Sequence, residues 1–253
     1  EAYAGDTMYE TAVAEAKAAY PDGCDTAIIV GPGDAWVDAL SVVGLSASKG
    51  PILFTNQDHL NESTEAALRE LGVESVIIVG GTAAVSDQVV TDLNNAGISL
   101  EKRIWGQNAY DTQLAIYNYG LDNGYWSKDK VIVATGTWFG DALSIAPVAY
   151  AEKIPIFLVD SSAELNGDQK DALIASGTRG YGQNAIIVGG DAAVSEETDG
   201  FADYISALAK GSGNSIRLAG ENQYETSSAI ASWVTSSEGF TWDNVAFATG
   251  DSP

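Results

Sequence analysis

Two textures of apolar residues alternate along this chain. The runs AIIV (27–30), PILFT (51–55) and VIIVG (76–80) are short, β-branched and free of polar alternation, the pattern of parallel strands covered on both faces. VIVAT (131–135), PIFLV (155–159) and AIIVG (185–189) repeat that pattern. Between the runs, segments 9–20, 37–48, 62–71 and 85–96 place apolar residues every three or four positions, which predicts amphipathic helices. Local signals agree. Asn61 precedes Glu62 and Glu65 in a first helical turn, Pro51 and Pro155 open second strands, and Gly72 and Gly97 follow helix ends. The βαβα order predicts an α/β fold of tandem Rossmann-like modules, each a small parallel sheet flanked by helices with right-handed crossovers.

The modules repeat in sequence as well as in texture. AIIVGPGDAWVDALSVVGLSA (27–47) returns as VIVATGTWFGDALSIAPVAYA (131–151), VIIVGGTAAVS (76–86) as AIIVGGDAAVS (185–195), and RIWGQNAYDT (103–112) as RLAGENQYET (217–226). A degenerate earlier copy of the last motif, GDTMYET, occupies 5–11. The segment SLEKRIWGQN (99–108) reads as a link to the helix that opens the next unit. The expected division is therefore 1–102, 103–214, and a third unit begun at 215–253, where VAFATGDSP (245–253) starts to match 131–139 and stops.

Charge and the scarce reactive residues narrow the chemistry. Twelve basic against 35 acidic residues give a formal charge of −23, which argues against nucleic acid as a partner. No apolar run approaches the ~18 residues of a membrane span. Cys24 is alone, and the one histidine, His59, has Glu164 at its place in the second unit, so neither supplies a repeated nucleophile, base or metal ligand. Neither a metal nor a cofactor is expected. Gly31-Pro32-Gly33 is not followed by the dinucleotide-binding glycine pattern. Carboxylate pairs remain formally open to hydrolytic chemistry, yet Asp38 and Asp141 recur once per unit, which suits a repeated binding or structural role better than one active centre.

The ordered set of motifs carries a resemblance. Trp36-Val37-Asp38-Ala39-Leu40-Ser41 and Phe139-Gly140-Asp141-Ala142-Leu143-Ser144 come first, followed by Gly80-Gly81 with Val85-Ser86 and Gly189-Gly190 with Val194-Ser195. The linking sets Arg103, Gly106, Tyr110, Asp111, Thr112 and Arg217, Gly220, Tyr224, Glu225, Thr226 complete the order. Together they resemble the cell wall binding repeat (type 2) of Gram-positive surface and S-layer proteins. That resemblance implies a non-catalytic module, commonly used in threes, that anchors a secreted protein non-covalently to an anionic, teichoic-acid-like cell wall polysaccharide. A third repeat or another subunit would complete a trimeric arrangement. The alternatives are an adhesin or S-layer lattice component that binds protein, or part of a wall-active hydrolase whose catalytic domain lies elsewhere.

An acidic chain can hold an anionic polymer through local features. Ligands of parallel α/β sheets bind beyond the carboxyl ends of the strands, where free N–H groups at helix starts attract anions without any lysine. The candidate polymer-binding residues are accordingly Gly33, Trp36, Asp38, Ser41, Gly80, Gly81 and Arg103 in the first unit. Gly136, Phe139, Asp141, Ser144, Gly189, Gly190 and Arg217 are their counterparts in the second. Each has a structural alternative. The aspartates cap their helices, the serines are small packing residues, the glycines serve a tight turn, and Trp36, Trp138 and Phe139 pack instead of stacking on sugars. Tyr110 and Tyr224 are expected to face the core.

Overall fold

A computed structural model describes residues 2–127, 129–182, 184–208, 215–243 and 245–248, the side chains of 34 and 206–208 excepted. The expected loop of a third copy at 249–253 lies outside the described residues. The chain forms two compact units, Glu1–Tyr125 and Trp126–Pro253.

The first unit contains α1 (Met8–Ala19), β1 (Thr26–Val30), α2 (Trp36–Lys49), β2 (Ile52–Phe54), α3 (Glu62–Glu70), β3 (Ser75–Val79), α4 (Asp87–Asn95), β4 (Ser99–Ile104) and α5 (Ala109–Asn123). Its four strands are all parallel and lie in the order β2-β1-β3-β4. Ala27, Ile29, Leu53, Val76 and Ile78 bury one face of the sheet against Ala12 and Ala16 of α1, Leu68 of α3, and Val89 and Leu93 of α4. The alternate residues Ile28 and Ile77 are fully buried on the other face, where α2 and α5 pack together. Burial on both faces is why these strands read as unbroken apolar runs. Each such isoleucine contributes about 1.5–3 kcal/mol of transfer free energy.

The second unit repeats the plan with β5 (Lys130–Thr135), α6 (Gly140–Glu152), β6 (Ile156–Val159), α7 (Gly167–Gly177), β7 (Asn184–Val188), α8 (Glu196–Leu208), β8 (Ile216–Leu218) and α9 (Gln223–Ser237). Its parallel order is β6-β5-β7-β8, and α9 packs on α6 as α5 does on α2.

One expectation needs correction. Residues 99–104 are not a link but the fourth strand of the first sheet, and 216–218 are its counterpart in the second. The signal was hidden because β4 is an edge strand with a bulge: Val76 and Ile77 face Leu100 and Lys102, leaving Glu101 extra. That carboxylate accepts from Lys49 of α2 at 2.6 Å and from the Tyr119 hydroxyl of α5 at 3.0 Å, so the polar bulge ties both covering helices to the strand.

The recurring glycine-to-threonine motif is a chain crossing at a helix start. Gly5, Gly106 and Gly220 each donate their N–H to a threonine hydroxyl six residues on, Thr11, Thr112 and Thr226, at 3.0, 3.0 and 3.1 Å. At each glycine an added Cβ would lie 2.2 Å from the Cβ of Glu10, Asp111 or Glu225, closer than side-chain atoms can approach. Gly106→Ala should therefore lower the first unit's stability by about 1–3 kcal/mol. Gly200→Ala inside α8, where nothing lies within 4 Å, should be neutral or stabilising by up to ~1 kcal/mol. Calorimetric melting of both variants checks the pair; equal effects would refute the crossing as the reason for the motif.

Candidate functional site

The strand order brings β1 and β3 side by side while the chain leaves them in opposite directions, toward β2 from one and toward β4 from the other. A crevice opens at such a switch point beyond the strand ends. Here the loop after β1 touches the loop after β3: a Cβ on Gly31 would meet the Ala84 carbonyl oxygen at 2.9 Å. Helices α2 and α4 start from these two loops, and α6 starts from the equivalent loop in the second unit. All three lack a side-chain cap, whereas Thr7, Asn61, Asn108, Asn166 and Asn222 cap α1, α3, α5, α7 and α9. No N-cap side chain takes the first-turn N–H groups of these three helices, which suits them to an outside acceptor.

Asp38 and Asp141 sit in the first turns of α2 and α6, yet they do not cap them. Their carboxylates instead approach the first glycine of the G-G pair. Gly80 and Gly189 hold φ near +113° and +111°, and an added Cβ would fall 3.3 Å from Asp38 Oδ2 and 2.6 Å from Asp141 Oδ2. Backbone and space both demand glycine there. Burial pushes the Asp38 carboxyl from 3.8 up to about 6. It also raises that of Asp141, partly offset by a hydrogen bond with Thr226.

Arg103 and Arg217 reach the same loops from β4 and β8, on the carbonyl side. Arg103 donates to the carbonyls of Gly80 at 3.2 Å and Val85 at 2.8 Å, and pairs with Asp87 at 3.4 Å. Arg217 donates to Gly189 and Val194, both at 2.8 Å, to Ser195 at 3.2 Å, and to Asp199. Each guanidinium fixes the shape of the G-G loop, in which the N–H groups of Gly80, Ala84, Val85 and Ser86, like those of Gly189, Ala193, Val194 and Ser195, are bonded to backbone carbonyls, leaving those of residues 81–83 and 190–192 for an outside acceptor.

Two adjoining cavities of about 340 and 410 Å³ occupy the first unit's crevice. Ala35, Asp38, Ala83 and Ala84 line both. Trp105, Gln107, Asn108 and Thr112 close the first, Pro32 and Gln57 the second.

The predicted residues divide into those that face this space and those that frame it. Gly81 lies beneath the Trp105 ring, where its missing Cβ leaves 3.3 Å. Gly33 is exposed and Trp36, Gly136 and Gly190 are half-buried at the loop. Ser41 is buried, its hydroxyl donating to Val37 at 2.8 Å, and Ser144 donates to Gly140 at 2.8 Å, so both serve their helices. Phe139 is only 2% exposed and packs against Trp138, with ring centroids 4.5 Å apart. Tyr224, expected in the core, is 57% exposed. Trp105 was missed by sequence reasoning: it stands inside the motif beginning at Arg103, but its counterpart is Ala219, and repetition cannot flag what only one copy carries.

A buried carboxyl with a raised pKa holds its proton in the folded state over pH 4–6, so its contribution to stability falls as pH rises through that window. Moving from 3.8 to about 6 costs ~3 kcal/mol once Asp38 is ionised. Asp38→Asn should therefore raise the first unit's melting temperature at pH 7 and leave it near wild type at pH 4. A drop at pH 7 would restore the anchoring aspartate. Arg217→Ala should cost the second unit about 1–3 kcal/mol by stranding loop carbonyls, read by denaturant unfolding; unchanged stability would free the arginine from its loop-holding role.

Comparison with known proteins agrees with this fold. The model of cell wall binding domain 2 (CWB2) matches residues 3–90 and 103–199. N-acetylmuramoyl-L-alanine amidase LytC of Bacillus subtilis (strain 168) is 30% identical over 97% of this chain, which spans 47% of the amidase. The amidase enhancer of the same organism is 35% identical over 62% of this chain and 21% of its own length. Among solved structures, Cwp6 and Cwp8 from Clostridium difficile match 91% and 90% of this chain at 28% identity, with TM-scores of 0.79 and 0.75. This chain spans 35% and 36% of those two chains. Two copies of one motif set, two sheets of one strand order and a family model that matches twice lead to one conclusion: the chain belongs to the cell wall binding domain 2 family.

Proposed function

We propose that this chain is a non-catalytic anchor that holds a secreted protein on an anionic secondary polymer of the cell wall, gripping it at the carboxyl edges of its sheets. The observation that carries this reading is the capping pattern. The starts of α2, α4 and α6 lack side-chain caps, whereas at α3 and α7 an asparagine takes one or two of the first-turn N–H groups. In a chain of charge −23, oriented N–H groups are the local positive feature that phosphate or carboxylate on a glycan would meet.

On this reading Gly33, Trp36, Asp38, Gly81, Gly136, Asp141 and Gly190 border the polymer. Gly80, Gly189, Arg103 and Arg217 shape the loops that present N–H groups, and Ser41, Ser144 and Phe139 support the helices behind them. A third repeat or another subunit completes the arrangement that the family resemblance implies. The relationship to an amidase more than twice the matched length favours a second reading, in which the anchor serves a catalytic region elsewhere in the same protein.

The test is electrostatic. Ala83→Asp and Gly190→Asp place carboxylates in the two crevices; Ala83 is exposed, and nothing lies within 4 Å of a Cβ at Gly190. In sedimentation with purified cell walls, wild type should be retained, retention should vanish when the secondary polymer is stripped, and the double variant should bind at least ~10-fold more weakly. Undiminished binding by the double variant would refute the crevice, and retention by stripped walls would point to peptidoglycan instead.

A further inference from the structure

The two crevices are not equivalent. In the first unit the lining residue at the start of α2 is Ala35 and the one at the start of α5 is Ala109, and between them lies the cavity of about 340 Å³. The motif alignment gives these positions Trp138 and Gln223 in the second unit. There the Trp138 indole Nε1–H donates to Gln223 Oε1 at 3.1 Å, bridging the starts of α6 and α9. A Cβ built on Gly140 would sit 3.0 Å from Gln223 Cβ and 3.3 Å from Trp138 Nε1, so the bridge lies close over the first residue of α6.

The aromatic residue has also changed sides. Trp105 lines the first unit's cavity with 54% of its surface exposed, and its ring rests on Gly81 at 3.3 Å from a would-be Cβ, whereas Ala219 takes its place in the second unit. A large apolar ring left in water beside a cavity forgoes burial free energy until something flat covers it. Asp38, Gln107, Asn108 and Thr112 line the same cavity as the ring. A flat apolar face beside a carboxylate acceptor and amide groups complements a sugar ring, whose C–H face is apolar and whose edge donates and accepts hydrogen bonds.

We infer that the first unit alone carries a pyranose subsite, in which Trp105 stacks on the ring face and Asp38 accepts from ring hydroxyls, while the Trp138–Gln223 bridge occupies the equivalent place in the second unit. The inference rests on the crevice reading and adds to it a division of labour: one unit reads sugar, and both present N–H groups to charge.

The experiment is titration of the full chain with a pyranose-containing polysaccharide released from Bacillus subtilis walls, followed by calorimetry and tryptophan fluorescence. Trp105→Ala should weaken binding about tenfold and abolish the fluorescence change, Trp105→Phe should recover most of the affinity, and Trp138→Ala should bind within about twofold of wild type. The melting temperature of Trp105→Ala should match wild type, because the side chain is half exposed. Wild-type affinity in Trp105→Ala, or equal losses in Trp105→Ala and Trp138→Ala, would overturn the subsite while leaving the crevice reading standing. No binding by wild type would overturn the crevice reading itself, and the subsite with it.

Discussion

A missing side chain at two positions governs the rest of each site. Gly80 and Gly189 adopt a backbone conformation that L-residues disfavour, and the space where a Cβ would stand is taken by the carboxylate of Asp38 or Asp141. That approach lets the loop after the third strand fold down onto the start of the helix after the first. With the loop there, its carbonyls turn back toward Arg103 or Arg217, which bind them. Of its N–H groups, those of residues 81–83 or 190–192 are left without a backbone acceptor among the described residues. Replace the glycine and the aspartate, the arginine and the uncapped helix start no longer converge.

The crevice has an energetic cost that the fold carries. Asp38 is partly desolvated without a hydrogen bond among the described residues to offset it, which is why burial alone sets its carboxyl near 6. A fold selected for stability alone would place asparagine or an apolar residue there. Retaining an under-satisfied carboxylate and uncapped helix starts together, on one edge of a well-packed sheet, fits the proposal that this surface is kept for binding.

Much of this was legible in the sequence, for reasons particular residues show. Central strands such as 76–79 announce themselves because both their faces are buried, and Asp38 and Gly80 because each has a counterpart. β4 was not legible: an edge strand needs only one side of its ladder, so Glu101, Lys102 and Arg103 read as a polar link. The role of the arginines was hidden too, since a sequence shows their charge but not that loop carbonyls already occupy it. Trp105 was not legible either, because repetition highlights what two units share and is blind to what one has alone. The Trp138–Gln223 bridge is likewise visible only when the two side chains, 85 positions apart, are seen to meet.

On the proposed function, the polymer lies across the switch point between β1 and β3. The most direct test is amide chemical-shift mapping of the isotopically labelled chain during titration with purified secondary cell wall polymer. The largest shifts are expected at the N–H groups of residues 33–38 and 81–86, with those of 105–109 following. Shifts confined to α3, α4 and the loops at the opposite end of the strands, with residues 33–38 and 81–86 silent, would contradict it.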